Sequence, residues 1–495
     1  MVPMKKNAKL NYIYNLIYQV VLLITPLITT PYVSRVLGEY GVGQYSFSHS
    51  IASYFILFGG LGFGYYAQRE IAKKQNDKQA QSVIFWEIII ARAISVFVSI
   101  AVYLALILFG VFGNQYELLF KLLLINIVAT AFDITFLFQG NEEFGVIALK
   151  NVVIRIIGIT LIFVFVKQYS DLWIYTLCQS LILIVGNLSL WTRLPKILTR
   201  VKASDLRIKR HLVPTLRLFV PTIAVSINAI LDKTLLGVLV EGVDETGKNF
   251  SFIENGNYEQ SDKIIQILLS LLTALGAVMY PKNSQAVASG DRERLKSNVY
   301  KALSFVCFLG FPLTFGISAV SINFSPWFFG EGYLKVPYLM MVLSPKIVII
   351  GLSDVLGMQY LLPLEKDKKF TIALIIGAIA NVSLNFLLIP FLWSYGACIA
   401  TVVAELLITF TMILFARKEI KFSLVIKSTW KYFLAAALMF GVVFTIGHFL
   451  DASILNTFIL VVTGILVYVA ALLAFKDAFL FSILKMVRDK IKKTR

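Results

Sequence analysis

Charge is scarce in this sequence. Only 15% of its 495 residues are Asp, Glu, Lys or Arg, while 58% are hydrophobic; soluble chains carry about a quarter charged residues and 45–50% apolar ones. That balance excludes a soluble enzyme and a disordered chain. Cysteine is almost missing: Cys178, Cys307 and Cys398 all lie inside apolar runs, with no partner at metal-ligand spacing. A disulfide scaffold is thereby excluded, and the three read as buried packing residues. No G-x-x-x-x-G-K-[ST] signature occurs, so ATP hydrolysis by the chain itself is not expected. His49 and His448 fall in or near apolar runs and read as packing or interface residues.

What the sequence has is apolar runs of about twenty residues, each long enough to span roughly 30 Å of hydrocarbon. Hydropathy and helix breakers predict spans at 11–36, 44–68, 81–110, 118–138, 145–166, 172–193, 214–240, 261–281, 301–324, 337–362, 370–392, 396–416, 431–450 and 456–475. The lysines ahead of the first run, without a small-residue cleavage site, predict a retained span rather than a signal peptide. With both termini inside, 34 of the 46 lysines and arginines fall in inner loops and tails. The outer loops hold three: Lys167, Lys248 and Lys335. This bias predicts fourteen spans with cytoplasmic termini, and it accounts for the +18 net charge by an anionic leaflet rather than nucleic acid. The tail from Lys485 to Arg495 is expected to lie on the inner leaflet.

A weak internal repeat is present. Pro26 and Pro31, then Arg35-Val36-Leu37-Gly38 and Gly43-Gln44-Tyr45, are echoed by Pro214 and Pro221, then Asp232-Lys233-Thr234-Leu235-Leu236-Gly237 and Gly256-Asn257-Tyr258. It predicts two parallel six-helix bundles, as in many alternating-access transporters. The organisation expected is an N-lobe at 1–193, a basic linker at 194–213, a C-lobe at 214–416, two further spans at 417–475 and a basic tail at 476–495. The inner loop 193–213 and the acidic outer loop 241–260 are both too short to fold as domains. The fold class expected is an all-α polytopic membrane protein.

Asn15-Leu16-Ile17-Tyr18-Gln19, Pro26-Leu27-Ile28-Thr29-Thr30-Pro31-Tyr32-Val33-Ser34-Arg35-Val36-Leu37-Gly38, Tyr45-Ser46-Phe47 and Arg69-Glu70-Ile71-Ala72 resemble polysaccharide repeat-unit (Wzx-type) flippases. These belong to the multidrug/oligosaccharidyl-lipid/polysaccharide exporter superfamily. Leu231-Asp232-Lys233-Thr234-Leu235-Leu236-Gly237 and Tyr258-Glu259-Gln260-Ser261-Asp262-Lys263-Ile264 are similar to that family's seventh and eighth spans. The likeness continues through Pro363-Leu364-Glu365-Lys366-Asp367, Gly377, Asn381, Asn385, Ile389-Pro390 and Gly396-Ala397 to Glu405. The resemblance implies two six-helix lobes around a central cavity. Its implied cargo is an undecaprenyl-diphosphate-linked oligosaccharide moved from the inner to the outer leaflet, with a polysaccharide polymerase among the implied partners.

Ionisable residues at span depth are functional candidates. Arg92, Asp133, Arg155 and Glu405 fall near the expected midplane; Arg35, Lys233 and Lys263 sit near outer ends beside Asp232, Glu259 and Asp262. Arg217 and Lys150 lie toward the inside, Asp354 deep in span ten and Lys346 in its outer part. A diphosphate cargo suits Arg35, Arg92, Arg155, Arg217, Lys233 and Lys263, because arginine offers a planar two-bond fork to phosphate oxygens. Arg92 and Arg155 would equally serve as interhelical partners of Asp133 or Glu87, and Lys121 and Lys150 as snorkelling residues. Asp133, Asp232, Glu259, Asp354 and Glu405 are candidates for gating or for coupling to an H⁺ or Na⁺ gradient, since burial raises carboxyl pKa values. Arg35 facing Asp232, Glu259 or Asp262 would make an outer gate; an i, i+4 pair between Glu259 and Lys263 is the simpler alternative. Tyr12, Tyr14, Tyr18, Tyr54 and Tyr65 could stack on sugars or anchor spans at the interface. The Gly59-Gly60-Leu61-Gly62-Phe63-Gly64 run suits close packing or a hinge, not a nucleotide. No catalytic residue, metal site or cofactor is expected. The competing functions are a multidrug or cation exporter of the same superfamily and a membrane polymerase or ligase.

Overall fold

In hydrocarbon every backbone polar group must be satisfied within its own segment, so apolar runs of this length become helices. The computed structural model describes residues 8–113 and 116–482. Among these the regular elements are all helical, and only the isolated bridge Val243–Asn249 pairs extended backbone. The helices are α1 (Ala8–Gly60), α2 (Phe63–Ala72), α3 (Lys78–Leu108), α4 (Glu117–Ala131), α5 (Thr135–Gly140), α6 (Phe144–Phe165), α7 (Leu172–Trp191) and the short α8 (Leu194–Ile197). They continue with α9 (Leu212–Leu239), α10 (Phe250–Ala288), α11 (Arg292–Phe329), α12 (Val336–Leu343), α13 (Pro345–Leu356), α14 (Asp367–Ala416), α15 (Phe422–His448) and α16 (Ile454–Ala474).

Nine stretches among the described residues are long and apolar enough to cross a membrane. One of them, α14, holds two expected spans, because its helix breaks at Trp393 (φ 51, ψ −127). A straight helix would separate residues 388 and 396 by about 12 Å. Instead a Cβ on Gly396 would lie 2.6 Å from the Leu388 carbonyl, so the chain folds back on itself there. The breaker in α1 is Gly38 (φ 65, ψ 175), a conformation that glycine adopts without a Cβ clash. Expected spans one and two therefore lie on α1, and seven and eight on α9 and α10.

Three boundaries differ from expectation. Span two is interrupted at Leu61 (φ 40) and Gly62 (φ 72), where the glycine-rich run ends α1 and starts α2. Span four breaks after Ala131, and the Asp133 carboxylate accepts the Thr135 N–H at 2.9 Å at the start of α5. The outer loop expected at 241–260 is half helix: α10 begins at Phe250, and polar Ser251, Glu254, Asn255, Asn257 and Gln260 are buried. Polarity hid this helix from a hydropathy reading. The remaining loop closes on Asp244, whose carboxylate accepts the N–H of Thr246 and of Lys248 at 2.9 and 2.8 Å.

The chain divides into two compact units, Met1–Gly256 and Asn257–Arg495. In the first, Ala52, Val96, Tyr103, Phe120, Leu123 and Ile127 form a core joining α1, α3 and α4. In the second, α15 and α16 pack on α11 through Cys307, Ala319, Tyr432, Ala436, Met439 and Leu460. Polar ties fix the register: Asn323 donates to the Gly447 and Leu450 carbonyls, and the Trp327 indole to Thr457 Oγ1 at 2.8 Å. Large apolar side chains such as Phe97, Leu108, Phe391 and Leu466 are exposed, as lipid-facing positions require. All three cysteines are buried and free.

Candidate functional site

The strongest charge cluster of the first unit joins α3 to the basic segment before α9. Glu87 is the sole carboxylate of α3 and its side chain is fully buried. Its Oε1 accepts the Arg207 N–H, and its Oε2 accepts Arg210 Nε at 3.0 Å and a second Arg210 nitrogen. His211 Nε2 lies 2.7 Å from the same Oε2, and His211 Nδ1 lies 2.7 Å from the Tyr66 hydroxyl of α2. Upstream, the Thr199 N–H donates to Ser82 Oγ of α3 at 2.9 Å. The sequence reading considered Glu87 only as a partner for arginine and overlooked Arg210 and His211. The available signal was a single carboxylate in an otherwise acid-free span, which needs a cation from elsewhere.

Arg92, at the middle of α3, is 3% exposed. Its guanidinium donates to the Asp133 carbonyl and lies 5.2 Å from the Phe136 ring centroid, so it braces the break between α4 and α5. Its buried Nε has no hydrogen-bond partner among the described residues. Asp133 is also near enough to Lys150 on α6 to act on it electrostatically. Arg155, half-buried on α6, and Arg217, exposed on α9, have no hydrogen-bond or ion-pair partner among the described residues. Arg35 is exposed and caps its own helix by donating to the Pro31 carbonyl at 3.1 Å. Lys233 is half-buried with its carbonyl accepting from Asn255, and Asp232 is buried at 2% exposure. Lys121 pairs with Glu117 at 2.7 Å along α4.

In the second unit, Asp262 on α10 and Lys346 on α13 form a buried ion pair at 2.8 Å. Glu259 and Lys263 approach at 3.5 Å along α10, the i, i+4 pair anticipated as the simpler reading. Asp354 is half-buried and accepts from Gln359 Nε2 at 3.2 Å, at the π-helical turn Gly357–Leu361 that follows α13. Such turns often mark functional positions. Glu405 is half-buried on α14. At the α14–α15 turn, Glu419 accepts from Lys366 at 2.6 Å with Arg292 at 3.7 Å; the Lys366 hydrogen bond holds its carboxyl below the ordinary range.

His49 stacks on Tyr45 at 5.5 Å, and His448 is exposed at the end of α15. Tyr65 is 73% exposed and Tyr54 half-buried. The side chains of Tyr12, Tyr14 and Tyr18, and the 485–495 tail, lie outside the described residues.

Chemically, Arg155 and Arg217 of the first unit have no carboxylate partner among the described residues, while Glu87, Glu259 and Asp262 each have a cation of their own unit.

Comparison with known proteins agrees with this helical architecture. In solved structures, the fold matches "Lipid II flippase MurJ, inward closed conformation" with a TM-score of 0.71 at 17% identity, over 95% of this chain and 99% of that one. It matches an inward-facing MATE family transporter of the MOP superfamily with a TM-score of 0.56 at 13% identity, over 82% and 99%. In sequence, the chain is 26% identical over 426 residues to a protein of Escherichia coli (strain K12) described as "Putative O-antigen transporter", covering 84% of this chain and 98% of that relative. It is 29% identical over 157 residues to the lipid II flippase MurJ of Bacillus subtilis (strain 168), covering 30% and 29%. The helical fold is thus similar to those of MurJ and of the MATE transporter. The polysaccharide biosynthesis protein family matches residues 9–287, more than half the sequence, and this multi-pass membrane chain belongs to that family.

Proposed function

We propose that the chain is a flippase that carries undecaprenyl-diphosphate-linked oligosaccharide repeat units from the inner to the outer leaflet of a bacterial plasma membrane. Both termini would face the cytoplasm, as the lysine and arginine bias predicts. The observation that carries the reading is Arg155, a span-depth guanidinium with no anionic partner among the described residues. An unpaired cation at such depth is costly unless an anion visits it, and a diphosphate accepts its two-bond fork. Arg217 on α9 offers a second such group, and Arg35, Arg92, Lys233 and Lys263 are proposed to contact the cargo at other stages. The match to the Escherichia coli relative over 98% of its length, whose description names O-antigen transport, supports a lipid-linked glycan as the cargo.

Transport would proceed by alternating access, in line with MATE relatives solved in both inward-facing and outward-facing conformations. An H⁺ or Na⁺ gradient would drive it, with Asp133, Asp232, Glu259, Asp354 and Glu405 as the candidate coupling or gating carboxylates.

The test follows lipid-linked oligosaccharides in cells depleted of the protein, with sidedness read by an impermeant sugar-modifying reagent. Build-up in the inner leaflet with loss of surface polymer is expected. Delivery to the outer leaflet with unpolymerised units accumulating there would overturn the reading in favour of a polymerase or ligase.

A further inference from the structure

Glu87 lies about 14 Å along α3 from Lys78, at 1.5 Å per residue. Each donor that reaches it comes from 207–211: the Arg207 N–H, the Arg210 guanidinium and His211 Nε2. Other groups face the cluster from α2: the Tyr66 hydroxyl on His211, with Glu70 and Arg69 acting on Tyr66. A carboxylate without water and without these donors would be an unpaired buried charge, which proteins avoid by protonation.

We propose that Glu87 is a proton-binding site and that the 207–211 segment is its lid, docked while the carboxylate is ionised and released when it takes up a proton. The hydrogen-bond pattern places the charge change on Glu87 rather than on His211. Neutral His211 is satisfied at both nitrogens, with Nε2–H donating to Glu87 and Nδ1 accepting from Tyr66. Charged His211 keeps both contacts once the Tyr66 hydroxyl accepts. Protonated Glu87, by contrast, loses its attraction for Arg210, whose half-exposed side chain returns to water.

The lid matters because it runs directly into α9, starting at Leu212. The third turn of α9 rests on the break between α1 and α2: a Cβ on Gly62 would lie 3.3 Å from Phe219 Cα, and the Phe219 ring is 5.9 Å from that of Phe58. Release of 207–211 removes one of the ties at the entry to this helix and leaves the apolar contact with α1 and α2 as another. Resting on the flippase reading, the site ties the charge state of Glu87 to the entry of α9.

Hydrogen–deuterium exchange on the full-length purified protein tests the lid without any cargo, so its failure leaves the flippase reading untouched. In Glu87→Gln, peptides covering 199–211 should exchange at least ten-fold faster than wild type at pH 7.5, while α15 and α16 peptides stay unchanged. Wild type should reach the same fast exchange on acidification, after correction for intrinsic rates. Equal lid exchange in wild type and Glu87→Gln, or no pH dependence in wild type, would overturn the proposal. Should Glu87→Gln lose protection throughout, Arg210→Gln decides. Removing the cation raises the carboxyl pKa, so the midpoint of lid release must move to higher pH; an unmoved midpoint also overturns the proposal.

Discussion

Gly43 and Gly256 meet backbone to backbone. A Cβ on Gly43 would lie 1.7 Å from the Phe252 carbonyl oxygen, and one on Gly256 would lie 2.0 Å from the Glu39 carbonyl oxygen. These are the two G-x-Y glycines that the internal repeat pairs, and in the first unit they let α1 and the start of α10 touch without intervening side chains. Small residues allow such approaches between membrane helices.

Gly43→Ala and Gly256→Ala should each push α1 and α10 apart. The expected cost is about 1–3 kcal/mol of stability, read as a lower melting temperature in detergent, together with loss of surface polymer. Gly64→Ala is the control, since nothing lies within 4 Å of its Cβ position; it should be neutral or stabilising by up to about 1 kcal/mol. Equal behaviour of all three variants would show that the close approach is not needed.

The Asp262–Lys346 pair is buried on both sides, at 14% and 8% side-chain exposure. Asp262→Asn takes the carboxylate away from the buried Lys346 ammonium and should lower stability. The double variant Asp262→Leu/Lys346→Met should recover most of that loss. Chemical denaturation in mixed micelles reads both; a mild single-variant effect would mean that the pair is hydrated.

Arg155 and Arg92 should separate cleanly. Arg155 has no partner among the described residues, so Arg155→Ala should change stability by less than about 0.5 kcal/mol. Export should nevertheless fall at least about ten-fold, the equivalent of one lost charge-assisted hydrogen bond of about 1.5–3 kcal/mol. Arg92→Leu removes a buried donor from the Asp133 carbonyl and should lower the melting temperature itself. Surface-polymer assays paired with thermal melts check both; an Arg155→Ala protein with normal export would exclude that arginine from the cargo path.

Acid stability should carry a signature of Glu419. Its carboxyl is held below the ordinary value of 4.5 by the Lys366 hydrogen bond, with Arg292 adding to the effect. The stabilisation is therefore complete above about pH 4.5 and is lost as pH falls through the lower folded value. Glu419 is one-third exposed, so the contribution is within the 0–1 kcal/mol range of solvent-screened pairs. Glu419→Gln should match wild type in slope but not in height between pH 6 and 8, and should show a shallower acid limb. An unchanged acid limb would remove the pair from the stability balance.

Much of the architecture was legible in the sequence. Hydrocarbon leaves an apolar chain no alternative to helices, so length and hydropathy predicted the span regions and a gap between the first two runs around Gly38, whereas the glycine run at Gly62 read only as close packing or a hinge inside span two. The break at Trp393 was readable only as a gap between two apolar runs, because no residue type announces a left-handed tryptophan. The first three turns of α10 were missed: their buried polar residues lower hydropathy while leaving the helix intact.

Charge fared differently. From the sequence alone, span-depth ionisable residues were identifiable as exceptional, since burial of charge is costly wherever it occurs. Their partners were not. Asp262 finds Lys346 from 84 positions away, and Glu87 finds Arg210 and His211 from more than 120 positions away. Hydropathy and spacing are local properties of the chain, whereas an ion pair between helices depends on which faces pack together. The sequence by itself therefore determined an all-helical membrane protein with misplaced charge in its spans, and only the tertiary structure decided which charges compensate one another.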